Sequence, residues 1–155
     1  MATLDNFDVK ILTLLQDNGR LTNQELSEIV ALSPSQCSRR RINLEQQQLI
    51  LGYHARVAPK ALKQEIMAMV EVKLSSHEDE NSSKFQLFVS NEKTIIDAYK
   101  TTGDADYSLK MVVENLSSLD DLISRLFKTK LISHIKTSIV LDRMKESGIT
   151  ALKKI

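Results

Sequence analysis

Three consecutive arginines, Arg39, Arg40 and Arg41, follow a serine, a proline and a glutamine in the stretch Leu32-Ser33-Pro34-Ser35-Gln36-Cys37-Ser38-Arg39-Arg40-Arg41. Ser33 has the side chain of a helix N-cap, Pro34 suits the first helical position, and Gln36 stands where a capping-box side chain reaches back to the cap. The stretch therefore starts a helix and loads it with cationic groups just past its first turn. Guanidinium and amide side chains so placed contact phosphates and base edges, Arg toward guanine and Gln or Asn toward adenine. A run of arginines is also the mark of a solvated helix face, so the surrounding elements decide its meaning.

A second candidate stretch is Thr102-Gly103-Asp104-Ala105-Asp106, which by itself reads as a hairpin turn because Gly and Asp are ordinary turn residues. Other reactive groups are sparse. Cys37 is the single cysteine, and the three histidines, His54, His77 and His134, are scattered. No disulfide, metal-ligand spacing, nucleophile–base pair or phosphate-cradling Gly-rich loop results. Cys37 reads as a small core residue, and Asp120 and Asp121 as first-turn acids favoured by a helix dipole. Neither an enzyme nor a metal or cofactor is expected.

The elements that position the arginines come first in the chain. Asp5 to about Asn18 is an amphipathic helix with Phe7, Ile11, Leu14 and Leu15 at helical spacing and Gly19 beyond its end. Thr22 and Glu25 form a capping box, and Leu21 and Leu26 a hydrophobic staple, so a second helix runs from Asn23 to near Val30. Only Ala31 and Leu32 then precede the Ser33 cap. Two short helices joined by such a turn, after a support helix, match the helix-turn-helix pattern, whose last helix enters the major groove. Cys37 and Leu44 would face inward, while Ser35, Gln36, Ser38, Arg39, Asn43 and Gln46 would point outward. The β-rich segment Leu49–Val57 is expected as a wing-like strand.

From Ile66 the period changes to two. Ile66–Leu74 alternates as a strand, a helix ends near Val89, Thr94–Thr102 and Tyr107–Glu114 form a hairpin, Ser118 caps a helix, and Ile135–Leu141 is a fourth strand. This βαββαβ order is the ferredoxin-like arrangement, with helices on one sheet face. Met67 and Met69 fall on the other face, an uncovered apolar pair that argues for a partner subunit. A short helix is possible in the final residues, Lys145 to Ile155.

The chain has 155 residues, 42% of them hydrophobic, and a formal charge of +1. It suits one ordinary domain or two small ones and excludes disordered and fibrous classes. The near-neutral charge does not announce a nucleic-acid binder, yet Asp5, Asp8, Asp17, Glu25 and Glu28 precede Arg39, Arg40, Arg41 and Arg56, leaving one end locally positive. No apolar run could cross a bilayer and the N-terminus lacks a secretory pattern, so no membrane partner and a cytoplasmic location are expected.

These residues together resemble the Lrp/AsnC (leucine-responsive, or feast/famine) family of transcription regulators. The resemblance rests on Leu4-Asp5 with Asp8, Ile11-Leu12, Leu15-Gln16, Gly19-Arg20, Asn23 with Glu25-Leu26, Leu32-Ser33-Pro34-Ser35, Cys37 with Arg39-Arg40, Leu44-Glu45 and Ile50 with Gly52-Tyr53. Beyond these it rests on Thr102-Gly103-Asp104 with Asp106-Tyr107, Val112-Val113, and Thr137 with Ile139-Val140-Leu141. It implies an α+β fold: an N-terminal winged helix-turn-helix DNA-binding domain (1–58), a linker (59–65), and a ferredoxin-like βαββαβ effector-binding and oligomerisation domain (66–155). It further implies double-stranded DNA as partner, homodimers assembling further, often to octamers, and an amino-acid effector, leucine or another apolar one, bound between dimers near the hairpin. Carried over, Ser35, Gln36, Ser38, Arg39, Arg40 and Asn43 become DNA-contact candidates; Tyr99, Thr101, Thr102, Gly103, Asp104 and Asp106 become effector-site candidates.

Four positions depart from the family pattern. Arg41 stands where an apolar residue is usual and Ile42 where a basic one is; Gln48 and Lys63 stand where Gly is common. Two alternatives remain from other classes: an effector-independent architectural DNA-binding protein, and a small-molecule-binding domain whose helical half is a protein-interaction module.

Overall fold

The computed structural model describes residues 4–145, which form two units, 4–56 and 57–144. The expected C-terminal helix falls on residues that, save Lys145, lie outside the described range, as does the end of the second expected domain.

The first unit contains α1 (Asn6–Asp17), α2 (Asn23–Val30) and α3 (Pro34–Gln46). Each begins with a reciprocal capping box, Asp5 with Asp8, Thr22 with Glu25 and Ser33 with Gln36, so two orphan donors are satisfied at every start. The helices bury Ile11, Leu12, Leu15, Leu26, Val30, Cys37 and Leu44 as one core. Between α2 and α3, Ala31 takes the left-handed conformation at φ 61°, which lets the chain turn within three residues. Phe7, expected on the buried side of α1, lies outside the core and is 39% exposed.

Arg40 ties α3 to α1. Its guanidinium donates at 2.7 Å to Asp8 and lies 2.8 Å from Asp5, with its central carbon 5.4 Å from the Phe7 ring centre. The Asp8 backbone N–H and, secondarily, Arg40 hold the Asp5 carboxyl below its usual value of 3.8. Arg40 is itself held more firmly protonated, chiefly by Asp8. Arg40, expected among the DNA contacts, is thus paired within the first unit with Asp5, the cap of α1, and Asp8 in its first turn.

The end of α3 explains one departure from the family pattern. Gln48 sits at φ 57°. Its N–H donates to the Glu45 carbonyl at 3.0 Å and the Leu49 N–H to the Leu44 carbonyl at 2.9 Å, a Schellman closure. A left-handed residue is required there, and Gln adopts it without glycine's freedom from Cβ crowding. Lys63, φ 51°, is the same case. The expected wing does not form: residues 49–58 carry no strand, because a lone β-rich segment finds no ladder partner within this unit. Pro59–Leu62, in the expected linker, makes a single 3₁₀ turn.

The second unit has β1 (Ile66–Leu74), α4 (Asp79–Asn91), β2 (Ile95–Lys100), β3 (Tyr107–Val113), α5 (Leu116–Lys128) and β4 (Ile132–Ile139). The strands form one antiparallel sheet in the order β2-β3-β1-β4. Ala68, Val70, Val72 and Leu74 of β1 alternate inward with Leu109, Met111 and Val113 of β3, against Phe85 of α4 and Leu119, Leu122 and Leu126 of α5. The cap of α5 is Asn115, not Ser118: its side chain accepts from the Ser118 N–H at 2.9 Å, placing the cap three residues earlier.

The helix-free face is less apolar than expected. Met67 is only 6% exposed, whereas Met69 is 37% exposed and stands opposite Lys110 and Ser138. Further along this face Glu71 pairs with Lys136 at 3.4 Å and Asp97 approaches Lys110 at 3.8 Å.

Two outcomes follow. Replacing Arg40 with Ala leaves Asp8 without its counter-charge and lowers unfolding stability by about 1–2 kcal/mol at neutral pH, as measured by urea titration. Asp5 has a folded pKa below its unfolded one, so its contribution is complete well above 3.8 and is lost as pH falls through the lower folded value; the variant's deficit shrinks in acid. Replacing Gln48 with Gly relieves the left-handed strain and raises stability by about 0.5–1 kcal/mol in the same assay.

Candidate nucleic-acid interface and effector hairpin

At 3.6 residues per turn, three consecutive residues point in three different directions, and the three arginines are used accordingly. Arg41 is turned into the first unit. Its Nε donates to the Tyr53 hydroxyl at 2.8 Å, another nitrogen donates to the Leu21 carbonyl at 3.0 Å, and the guanidinium stacks 4.5 Å from the Tyr53 ring centre. The Tyr53 hydroxyl in turn donates to Glu45 at 2.8 Å. Burial first, and then the Glu45 carboxylate, push the tyrosine's pKa up. Gly19 provides room for this ring: a Cβ there would meet Tyr53 at 3.3 Å. Arg41 is thus a brace in the place of the family's apolar residue.

Arg39 alone of the three is exposed, and it makes no ion pair among the described residues. Asn43 and Gln46 are exposed on the same side. Gln36 is exposed, but its Oε1 accepts from the Ser33 N–H at 3.0 Å and the Ser33 hydroxyl at 3.1 Å. Only its amide N–H groups remain, so the two-point adenine contact, which needs both ends of the amide, is closed to it. Ser35 shares a hydrogen bond with the Ser33 hydroxyl at 3.0 Å, and Ser38 is half-buried. Cys37 is fully buried; burial pushes its thiol pKa up, with Arg40 partly opposing. It is packing, not chemistry. Ile42 lies exposed on this outward face, a position sequence reasoning left unresolved.

In the second unit the hairpin is held by two hydrogen bonds across its base. The Thr101 N–H donates to the Asp106 carbonyl at 2.9 Å, and the Thr101 hydroxyl donates to the Ala105 carbonyl at 3.0 Å. Thr102, Gly103 and Asp104 are exposed at the tip. Gly103 has φ 111° and no atom within 4 Å of a would-be Cβ, so glycine is wanted for backbone conformation and not for space. Tyr99 is 57% exposed and paired with Ser108, which places it on the helix-free sheet face. Asp106, expected at the effector site, has partners of its own: one carboxylate oxygen accepts the Leu74 N–H at 2.8 Å, and the other lies 3.7 Å from His77. It secures the end of β1. A shallow depression lined by Thr94, Ser118, Asp121, Ser124, Arg125 and Lys128 contains none of the hairpin residues.

Sequence reasoning missed the Arg40 and Arg41 anchors. The Arg41–Glu45 spacing of four was a visible signal, whereas nothing local links Arg40 to Asp5 and Asp8. Among the described residues no three His, Cys, Asp or Glu side chains gather as a metal site, and no helix is long and apolar enough to cross a membrane.

Comparison with known proteins agrees with this architecture. Residues 4–50 match the family model for winged helix-turn-helix DNA-binding, and residues 67–150 that for the Lrp/AsnC ligand binding domain. The leucine-responsive regulatory protein of Rhizobium meliloti is 34% identical over 93% of each chain. That of Escherichia coli K12 is 32% identical, covering 97% of this chain and 92% of its own. A transcriptional regulator of Neisseria meningitidis, solved as its L-methionine complex, superposes with a TM-score of 0.88 at 32% identity, covering 93% of this chain and 94% of that one. An AsnC-family regulator of Agrobacterium tumefaciens gives a TM-score of 0.90 at 26% identity, over 96% and 97%. With a helix-turn-helix unit, a four-stranded antiparallel effector-type unit and relatives matched over nearly their full length, the chain belongs to the Lrp/AsnC family of DNA-binding transcription regulators.

Proposed function

We propose that the chain binds operator DNA through Ser35, Gln36, Ser38, Arg39 and Asn43 on the outward face of α3, and that its regulation responds to an amino acid held at the Thr101–Asp104 hairpin. The observation that carries the DNA reading is the orientation of α3. Two of its arginines are locked to the domain, so the third, Arg39, stands in a defined place beside Asn43. A preorganised donor set loses little freedom on docking into the major groove. Arg39 supplies the charge for phosphate or guanine, Asn43 the paired donor and acceptor for adenine, and Ser35, Ser38 and the Gln36 amide the supporting contacts to the backbone.

For the effector, the support is the exposed hairpin tip. Asp104 suits an α-ammonium, the threonine hydroxyls and open backbone suit a carboxylate, and Tyr99 offers an apolar surface. A relative carries L-methionine, which favours an apolar amino acid such as leucine or methionine. The chain acts as a homodimer that pairs through its helix-free sheet face, where Met69 and Tyr99 lie among charges of both signs, and dimers assemble further, to an octamer by the family's habit. Effector binding between dimers then shifts the assembly and with it DNA affinity, a coupling that runs in both directions. The reading contains no catalytic step, and it places the protein in the cytoplasm.

Mobility shifts on the gene's own promoter region test the DNA reading. Arg39→Ala lowers affinity about tenfold or more and flattens the salt dependence by about one counterion, with the assembly size unchanged by light scattering. Loss of assembly in that variant would show that the face has been misassigned. A thermal-unfolding scan with the twenty amino acids tests the second reading: at least one raises the midpoint in a concentration-dependent way, and substitution of Asp104 with Ala abolishes that rise. A flat scan sinks the amino-acid effector.

A further inference from the structure

One side chain on the outward face of α3 is explained by neither phosphate contact nor hydrogen-bonded readout. Ile42 is 50% exposed. At ~100° per residue it lies about 140° around the helix from Cys37 and about 160° from Leu44, the two residues that define the inward direction. It therefore stands near the middle of the outward face, with Arg39 one turn before it, Asn43 beside it and Gln46 one turn after. All three are polar and exposed.

A lone exposed isoleucine is unremarkable on a surface at large. Here its surroundings give it a specific meaning. Because Arg40 and Arg41 are both held inside the domain, the middle of this face presents one guanidinium, two amides and one branched aliphatic group. The major-groove edges of the base pairs are otherwise polar, and the apolar group available there is the C5-methyl of thymine. An aliphatic side chain facing any other edge desolvates a donor or acceptor and returns nothing for it. Ile42 is also stiff, since a β-branched residue in a helix keeps essentially one χ1 rotamer, so its methyl groups are presented in a fixed place.

We propose that Ile42 reads a thymine methyl in the major groove, next to the base pairs contacted by Arg39 and Asn43, and so makes a thymine a required feature of each half-site. The inference rests on the DNA-binding reading above and adds a specificity determinant to it.

The test removes the methyl without touching any hydrogen bond. Duplexes retained by the full-length protein from a random-sequence pool are sequenced, and the thymines they share are replaced one at a time by deoxyuridine. Affinities are compared for the wild type, Ile42→Ala and Ile42→Val. At one thymine per half-site the replacement weakens wild-type binding about three- to tenfold, the effect of one well-packed methyl. Ile42→Ala binds the two duplexes equally, and Ile42→Val keeps part of the difference. Alanine is the better helix former and Ile42 contributes to no core cluster, so the variant's helix content should match the wild type by circular dichroism. Should it not, Ile42→Val decides alone: a methyl effect as large as the wild type's, or none in either protein, overturns the proposal. It is also overturned if deoxyuridine weakens wild type and Ile42→Ala alike, if the retained duplexes share no thymine, or if Ile42→Ala shrinks the assembly while keeping the methyl effect. If no duplex is retained at low salt, the DNA-binding reading falls, and this inference with it.

Discussion

The rotation of α3 about its own axis is the constraint on which the exposed face of the helix-turn-helix unit depends. Burial of Cys37 and Leu44 against α1 and α2 sets that rotation coarsely, since each fully buried apolar side chain contributes on the order of 1.5–3 kcal/mol and a turn of the helix would expose both. The guanidiniums of Arg40 and Arg41 refine it from either side, one clasping Asp5 and Asp8 on α1, the other reaching the Leu21 carbonyl and stacking on Tyr53. Non-directional burial holds the helix down; directional hydrogen bonds to charged groups fix its angle. The same residue type thereby serves two ends, with only Arg39 left to solvent.

Within the first unit, Asp5 and Asp8 at the start of α1 pair with Arg40 of α3 across helices, so part of the charge of the basic run is offset locally and the chain's net value does not report what the face of α3 exposes. In the second unit the logic differs. The sheet buries its alternating residues against α4 and α5, and its other face carries cross-strand pairs of opposite charge around Met69. Opposite charges on neighbouring strands of that face stabilise the sheet locally, whereas the helix-covered face is held by apolar burial.

Much of the fold was legible in the sequence because its signals are local. Capping boxes act over three residues and the staple over five, so the starts of α2 and α3 could be located from Thr22, Glu25, Ser33 and Gln36. Strand alternation located β1 and the hairpin in the same way. Where local signals competed, reading failed. Asn115 outcompeted Ser118 as the cap of α5, and the β-rich segment after α3 stayed without a strand because β-propensity cannot supply a pairing partner. The left-handed sites at Gln48 and Lys63 were visible only as departures from a glycine pattern, and the backbone conformation gave them their reason.

By itself, the sequence determined the helix-turn-helix pattern and the βαββαβ order, which follow from periodicities and caps within a few residues, while the class of protein came from the family resemblance. Only the tertiary structure decided which of three adjacent arginines is available. That choice depends on carboxylates more than thirty positions away along the chain for Arg40, and on a carbonyl and an aromatic ring from other segments for Arg41. It likewise gave Asp106 the Leu74 amide to hold, and set Ile42 outward. Side-chain availability is a property of neighbours in space, and folding alone assigns those neighbours.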